Sequence, residues 1–157
     1  MKLDEMMAVS ATAEKVFRAA IALMHEQTSR ENEQSTTTHI RIGEPGKPVM
    51  QLVVEFLHNL DGHARYSFAH YYTQNGDAMR DPEICMIDQG PGRLLPYYYR
   101  QDGLGIENDY YSVTGNMCWS SQEDLARFCG SWARNLVAQQ PLLNERMKAM
   151  DSEENHA

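Results

Sequence analysis

The sequence predicts a single α+β domain: an antiparallel meander sheet of about five to six strands, flanked by an N-terminal and a C-terminal helix. Three observations predict it. Apolar residues recur at helical spacing near the two ends. Between them lie short runs rich in β-branched and aromatic residues. Tight Gly-, Pro-, Asn- and Asp-containing turns separate those runs, so the strands follow one another as a meander, with a helix from each end covering one face.

The first helix is expected from about Thr12 to Ser29. Ser10 or Thr12 can cap it, and Glu14 meets its positive end. Ala13, Phe17, Ala20 and Met24 form its apolar stripe, widened by Val16, Ile21 and Leu23. Gln27–Thr38 is polar and reads as mobile. His39–Ile42 is a short strand, Glu44–Pro48 a turn, and Val49–Leu57 a buried strand. Asp61-Gly62 is a hairpin signal. In Ala64–Tyr72, residues Ala64, Tyr66, Phe68, His70 and Tyr72 point one way, and Arg65, Ser67, Ala69 and Tyr71 the other. A third turn spans Gln74–Asp77, and Glu83–Asp88 is a short strand with Ile84 and Met86 opposed to Cys85 and Ile87. Gln89–Gly92 turns the chain into the strand Leu94–Gln101, Asp102–Gly105 breaks it, and Glu107–Val113 adds a last strand.

Ser120-Ser-Gln-Glu123 matches a capping box for the C-terminal helix, in which Leu125, Phe128, Cys129, Trp132 and Leu136 fall on one stripe. Pro141 ends that helix or opens a second one through Met150. The expected division is one domain over residues 1–150 and a disordered tail over 151–157.

A length of 157 residues suits one domain able to bury a core without disulfide or metal staples. The net charge of −8, with 14 Lys and Arg spread singly, argues against direct nucleic-acid binding, which needs a surface that displaces counterions from phosphates. Three cysteines without a CxxC pair argue against a disulfide framework or a thiolate zinc site. The first residues do not read as a signal peptide and no run is long enough to span a membrane, so a cytoplasmic protein is expected.

Polar groups concentrate in His70–Glu83: one imidazole, the carboxylates of Asp77, Asp81 and Glu83, the Arg80 guanidinium and two amides. Tyr99–Gly105 adds Arg100, Gln101 and Asp102. His70 with Asp77 and Asp81 is a weak candidate for a divalent metal, against which no HxH or HxxxH pairing stands in support; a strand histidine followed by a polar hairpin is the simpler reading. Arg80 and Arg100 could clamp an anion, but pairing with cross-strand carboxylates is simpler. Asp102-Gly-Leu-Gly105 lacks the lysine and spacing of a phosphate loop. Cys129 falls on a helix stripe and reads as a buried thiol, while Cys118, at the helix start, is the better placed of the three for reactivity. No cofactor motif is present.

The pattern His-Tyr-Tyr-x-Gln-Asn-Gly-Asp-x-Met-x-Asp-Pro-Glu over His70–Glu83, followed by Tyr-Arg-Gln-Asp-Gly-Leu-Gly over Tyr99–Gly105, resembles a family of uncharacterised small proteins carried by bacterial plasmids, integrative elements and phages. This chain departs from that family in having Ile106–Asp109 where a Tyr soon follows the second motif. The resemblance implies an accessory role in a mobile element, such as persistence or countering host defence, and no particular chemistry.

Two functions follow as expectations. The first is a non-enzymatic protein that binds a partner with a basic surface, for instance a CRISPR or restriction complex that it inhibits. Its binding residues would be Tyr71, Tyr72, Asp77, Arg80, Asp81, Glu83, Tyr98, Arg100 and Asp102. Tyrosines bury large areas at low entropic cost, and His70–Ser112 holds seven acids against three arginines, half of the net charge. The alternative is a small hydrolase using His70 with the nearby carboxylates. A homodimer is left open.

Overall fold

The computed structural model describes residues 1–30, 38–112, 114–115 and 121–155. Helix α1 (Ala11–Arg30) is followed by seven strands, β1 (His39–Ile42), β2 (Leu52–Leu60), β3 (His63–Gln74), β4 (Asp77–Asp88), β5 (Leu94–Gln101), β6 (Ile106–Asp109) and the two-residue β7 (Thr114–Gly115). Helices α2 (Gln122–Gln139) and α3 (Pro141–Asn155) close the chain. The strands form one sheet in sequence order, every neighbouring pair antiparallel. This is the expected α+β meander, with the C-terminal helical region split in two at Pro141, where a proline fits the first helical position.

Cross-strand partners share a face, which sorts the side chains. Phe68, Ile84 and Tyr99 form one row and Tyr66, Met86 and Pro96 another. That face is covered by helices. The Phe17 ring of α1 meets Phe68 edge-on at 4.9 Å and Trp132 of α2 at 5.9 Å, and Phe128 of α2 meets Tyr99 at 6.0 Å. Phe17, Met24, Leu52, Phe68, Ile84, Met86, Leu125 and Leu136 are buried there, each contributing on the order of 1.5–3 kcal/mol by leaving water. Helix α3 packs outside α1 and α2, tied to α1 by Arg146 to Glu26 at 2.6 Å and Lys15 to Asp151 at 3.1 Å. These bonds lie beside the last turns of α3, so residues 151–155, expected as a tail, are helical.

No described helix covers the opposite face. There the Tyr111 hydroxyl donates to Asp61 in the β2–β3 turn and Arg65 donates to the Tyr97 hydroxyl at 3.1 Å. Ile87 and Leu95, partners on this face, are buried.

Three local readings change. The strand expected from Glu83 begins at Asp77, so that the Gln74–Asp77 turn narrows to Asn75-Gly76. The pairings Ala69–Glu83 and Tyr71–Arg80 leave two residues, Asp81 and Pro82, opposite His70. This is a bulge, where a proline without an N–H is tolerated within a sheet. The second strand begins at Leu52, after Pro48 and the exposed Val49 and Met50. The capping box of α2 is one residue later than expected: Ser121 accepts from the Asp124 N–H at 3.2 Å, and Asp124 accepts from the Ser121 N–H at 3.4 Å. At α1 the cap is Ser10, whose hydroxyl accepts from the Ala13 N–H at 3.2 Å.

The N-terminal segment is held by Gln122, 2% exposed. Its side-chain oxygen accepts from the Met7 N–H at 2.7 Å, and its amide nitrogen donates to the Met7 and Pro96 carbonyls at 2.8 and 2.9 Å. Gln122→Ala leaves three backbone groups without this partner. We predict a loss of about 3 kcal/mol, from the cost of unpaired buried polar groups, measured as a lower urea midpoint at unchanged slope.

Candidate functional site

On the open face, Ala69, Glu83, Arg100 and Glu107 form one row across β3–β6, and Ser67, Cys85, Tyr98 and Asp109 the next. Tyr71 and Arg80 are paired beyond the bulge. Strand β5 ends at Gln101, and Asp102–Leu104 is a 3-10 turn closed by Gly105 in a left-handed conformation, φ 65°. That turn brings the Asp102 carboxylate against β4.

Asp102 is the hub. It accepts from the backbone N–H of Arg80 at 2.8 Å and from Arg100 Nε at 2.7 Å, and it lies 3.5 Å from the Arg80 guanidinium. Arg80 Nε is also 3.2 Å from Glu83, which accepts from the Ser67 hydroxyl at 2.7 Å. That approach is an ion pair without hydrogen-bond geometry at Nε. Arg100 reaches Glu107 at 4.0 Å, and Glu107 accepts from the Tyr98 hydroxyl at 2.8 Å. Burial pushes the Asp102 carboxyl up, but the bonds from Arg80 and Arg100 prevail and hold it below the usual range. Burial and the Glu107 bond raise the Tyr98 hydroxyl, so it remains a neutral donor.

Six of the expected partner-binding residues therefore meet: Tyr71, Arg80, Glu83, Tyr98, Arg100 and Asp102. Three do not. Asp77 is exposed beside the β3–β4 turn, paired with Gln74. Tyr72 alternates to the other side, its hydroxyl against Gly103, where an added Cβ would sit 2.7 Å away. Asp81 points to the helix side and accepts from Gln101 at 2.9 Å, whose side-chain oxygen accepts from the Tyr99 hydroxyl at 2.6 Å.

His70 is also on the helix side. Its Nδ1 lies 2.9 Å from the Gln51 carbonyl, and its ring stands edge-on to Trp132 at 5.5 Å. The expected grouping of His70 with Asp77, Asp81 and Glu83 is thus divided. Glu83 faces away from it, and Asp77 lies beyond Gln74, itself four residues or about 13 Å along the strand. Among the described residues no group of three His, Cys, Asp or Glu could hold a metal. Cys85 and Cys129 are buried, and burial raises both thiols; Cys118 lies outside the described residues. A groove of 670 Å³ between α1 and α3 and another of 730 Å³ beside Arg41 and Leu142 contain none of the motif residues. No described helix is long and apolar enough to cross a membrane.

Sequence reasoning did not include Glu55, Ser67 or Glu107 in the site. The signal was present for Ser67, since strict alternation sets it on one face with Arg65 and Tyr71. For Glu107 it was absent, because the pairing of β6 with β5 is not written in either strand.

Burial lowers the affinity of His70 for a proton, more than the Gln51 carbonyl and Asp81 raise it. The unfolded chain therefore binds this proton more readily than the fold. His70 contributes stability above its ordinary pKa of 6.5 that is lost as pH falls below it. We predict that the urea midpoint drops between pH 7 and pH 5, and that His70→Gln removes part of that drop. Asp88 and Asp102, both held low by arginines, add their losses in a separate window below 3.8.

The model of a family described as "Domain of unknown function (DUF6908)" matches residues 18–142, and the chain belongs to that family. The match contains β1 to β7, and so the whole of the open-face network. No curated protein and no solved structure matches the chain.

Proposed function

We propose that this member of the DUF6908 family acts by protein–protein interaction, binding a partner with a basic surface through the open face of its sheet. The observation that carries the reading is the network itself. Arg80, Glu83, Arg100, Asp102 and Glu107 form a continuous lattice on a sheet face that no described helix covers, with Glu107 and the two arginines partly exposed and Glu83 and Asp102 mostly buried between them. A solvated sheet face needs no such order, since isolated surface pairs contribute little to stability. Tyr71 and Tyr98 add area that can be buried at low entropic cost. Glu55, Glu83, Asp102, Glu107 and Asp109 stand on this face with Arg41, Arg65, Arg80 and Arg100, and this small excess of carboxylates, in a chain of net charge −8, favours a basic partner.

The biological setting that fits the sequence resemblance is an accessory protein of a mobile element that inhibits a host defence complex of the CRISPR or restriction type. Such complexes present basic nucleic-acid-binding grooves, the chemical complement of this face. No cofactor is required for this mode of action.

The test is affinity capture with the purified protein, combined with a plasmid- or phage-survival assay in cells carrying a defence system. Wild-type protein is expected to capture a basic protein and raise survival. Glu107→Lys, at a half-exposed position, is expected to weaken capture at least tenfold with an unchanged circular-dichroism spectrum. Binding is also expected to fall as salt rises from 0.05 to 0.5 M, values chosen to pass through the range where the screening length drops below about 10 Å. Equal capture by both proteins, with no effect on survival, would overturn the proposal.

A further inference from the structure

The β3–β4 hairpin runs past the rest of the sheet. The last pairing of β2 with β3 is Val53–Ala69, and the last pairing of β5 with β4 is Arg100–Glu83. Beyond them, Tyr71–Gln74 and Asp77–Arg80 pair only with each other, around an Asn75-Gly76 turn with φ 53° and 84°. A two-stranded ribbon has two edges, and the protein treats them differently.

The β4 edge is occupied. Arg80 turns its backbone N–H away from β3, and the Asp102 carboxylate accepts it in the place of a neighbouring strand's carbonyl. In an antiparallel pair, partners alternate between bonding each other and turning outward. Arg80 is turned outward, so its partner Tyr71 is turned outward on the β3 side, and Thr73, two residues on, shares that orientation.

The β3 edge is open. Strand β2 would continue the ladder through Gln51, but its carbonyl oxygen is taken by the His70 imidazole. Next in line is Val49, exposed after Pro48 turns the chain away. Among the described residues no backbone hydrogen bond is made to Tyr71 or Thr73 on this side. On the same face Glu83 pairs with Ala69, two residues from Tyr71, Glu55 stands on β2 opposite Ser67, and Arg80 pairs with Tyr71 itself.

We propose that the Tyr71–Gln74 edge accepts an extended basic segment of a partner protein as an added β-strand, continuing the sheet where β2 leaves it. This deepens the protein-binding reading above and rests on it. Backbone N–H and C=O groups of Tyr71 and Thr73 supply the pairing, while Glu55 and Glu83 select Lys or Arg in the added strand.

The test is amide NMR of the ¹⁵N-labelled chain with two synthetic peptides, Lys-Val-Lys-Val-Lys-Val and Glu-Val-Glu-Val-Glu-Val. The basic peptide is expected to shift the Tyr71 and Thr73 amides and to slow their exchange with solvent at least tenfold, and the acidic peptide to do neither. Thr73→Pro removes an outward N–H that the hairpin does not use, and it is expected to abolish the effect. If that variant disturbs the hairpin, the basic peptide methylated at every second amide nitrogen tests the same bond on the wild-type chain. Unmoved Tyr71 and Thr73 amides, or full binding by the methylated peptide in both possible registers, would overturn the proposal. Shifts confined to Arg100 and Glu107 would overturn it too, while leaving the open face as the binding surface.

Discussion

Gln122 sits where three distant parts of the chain meet, and its amide satisfies backbone groups of two of them from a third. Met7 belongs to the N-terminal segment, Pro96 to β5 and Gln122 to the first turn of α2. A sheet buries one face only when its helices are held in register with it. Hydrophobic contacts such as Phe17–Phe68 supply the energy but are tolerant of sliding; the paired amide is not, because a buried polar group that loses its partner is penalised. The Val9 N–H bond to the Leu94 carbonyl at 3.0 Å extends the same tie. With α1 and α2 fixed against β5, the opposite face has no described helix to cover it.

Charge is organised by the same division. Arg18 of α1 grips Asp88 with two nitrogens, at 3.0 and 3.2 Å, and also donates to the Gly90 carbonyl, which anchors the β4–β5 turn to the helix layer. Asp88 thus serves the fold, although it counts among the acids that make the middle of the sequence look uniformly negative. The acids on the open face are arranged around Arg80 and Arg100, and of these Glu107 is the most accessible. A linear tally of charge cannot separate these two roles, since alternate residues of one strand belong to opposite faces.

The sequence was most legible where one rule acted alone. The stripe of α1, the alternation of Glu83–Asp88 and the run Leu94–Gln101 each follow from a single period and lie where that period puts them. It was least legible where rules compete. Asp77–Pro82 is polar and contains a proline, which locally argues for a turn, yet the Asn75-Gly76 hairpin and pairing with β3 make it a strand with a bulge. Ser120 and Ser121 both offer a capping pattern, with Glu123 and Asp124 respectively, and local sequence does not choose between them. The candidate site was half legible for the same reason. Tyr71, Arg80, Glu83, Arg100 and Asp102 were recognisable as an unusual set, but the separation of His70 and Asp81 from them depends on strand parity across the bulge.

That parity has a consequence for variation along the chain. Two residues of β4 face one of β3 at the bulge, so the strand changes phase there: Glu83 and Arg80 share a face although they are three apart in sequence. An ordinary strand would put residues three apart on opposite faces. Removing either Asp81 or Pro82 would leave one residue opposite His70, so Arg80 and Glu83 would stand two apart and still share a face. A single-codon deletion within the regular run Glu83–Asp88, by contrast, would invert every side chain on one side of it. Length is therefore a looser constraint at Asp81-Pro82 than in the rest of β4.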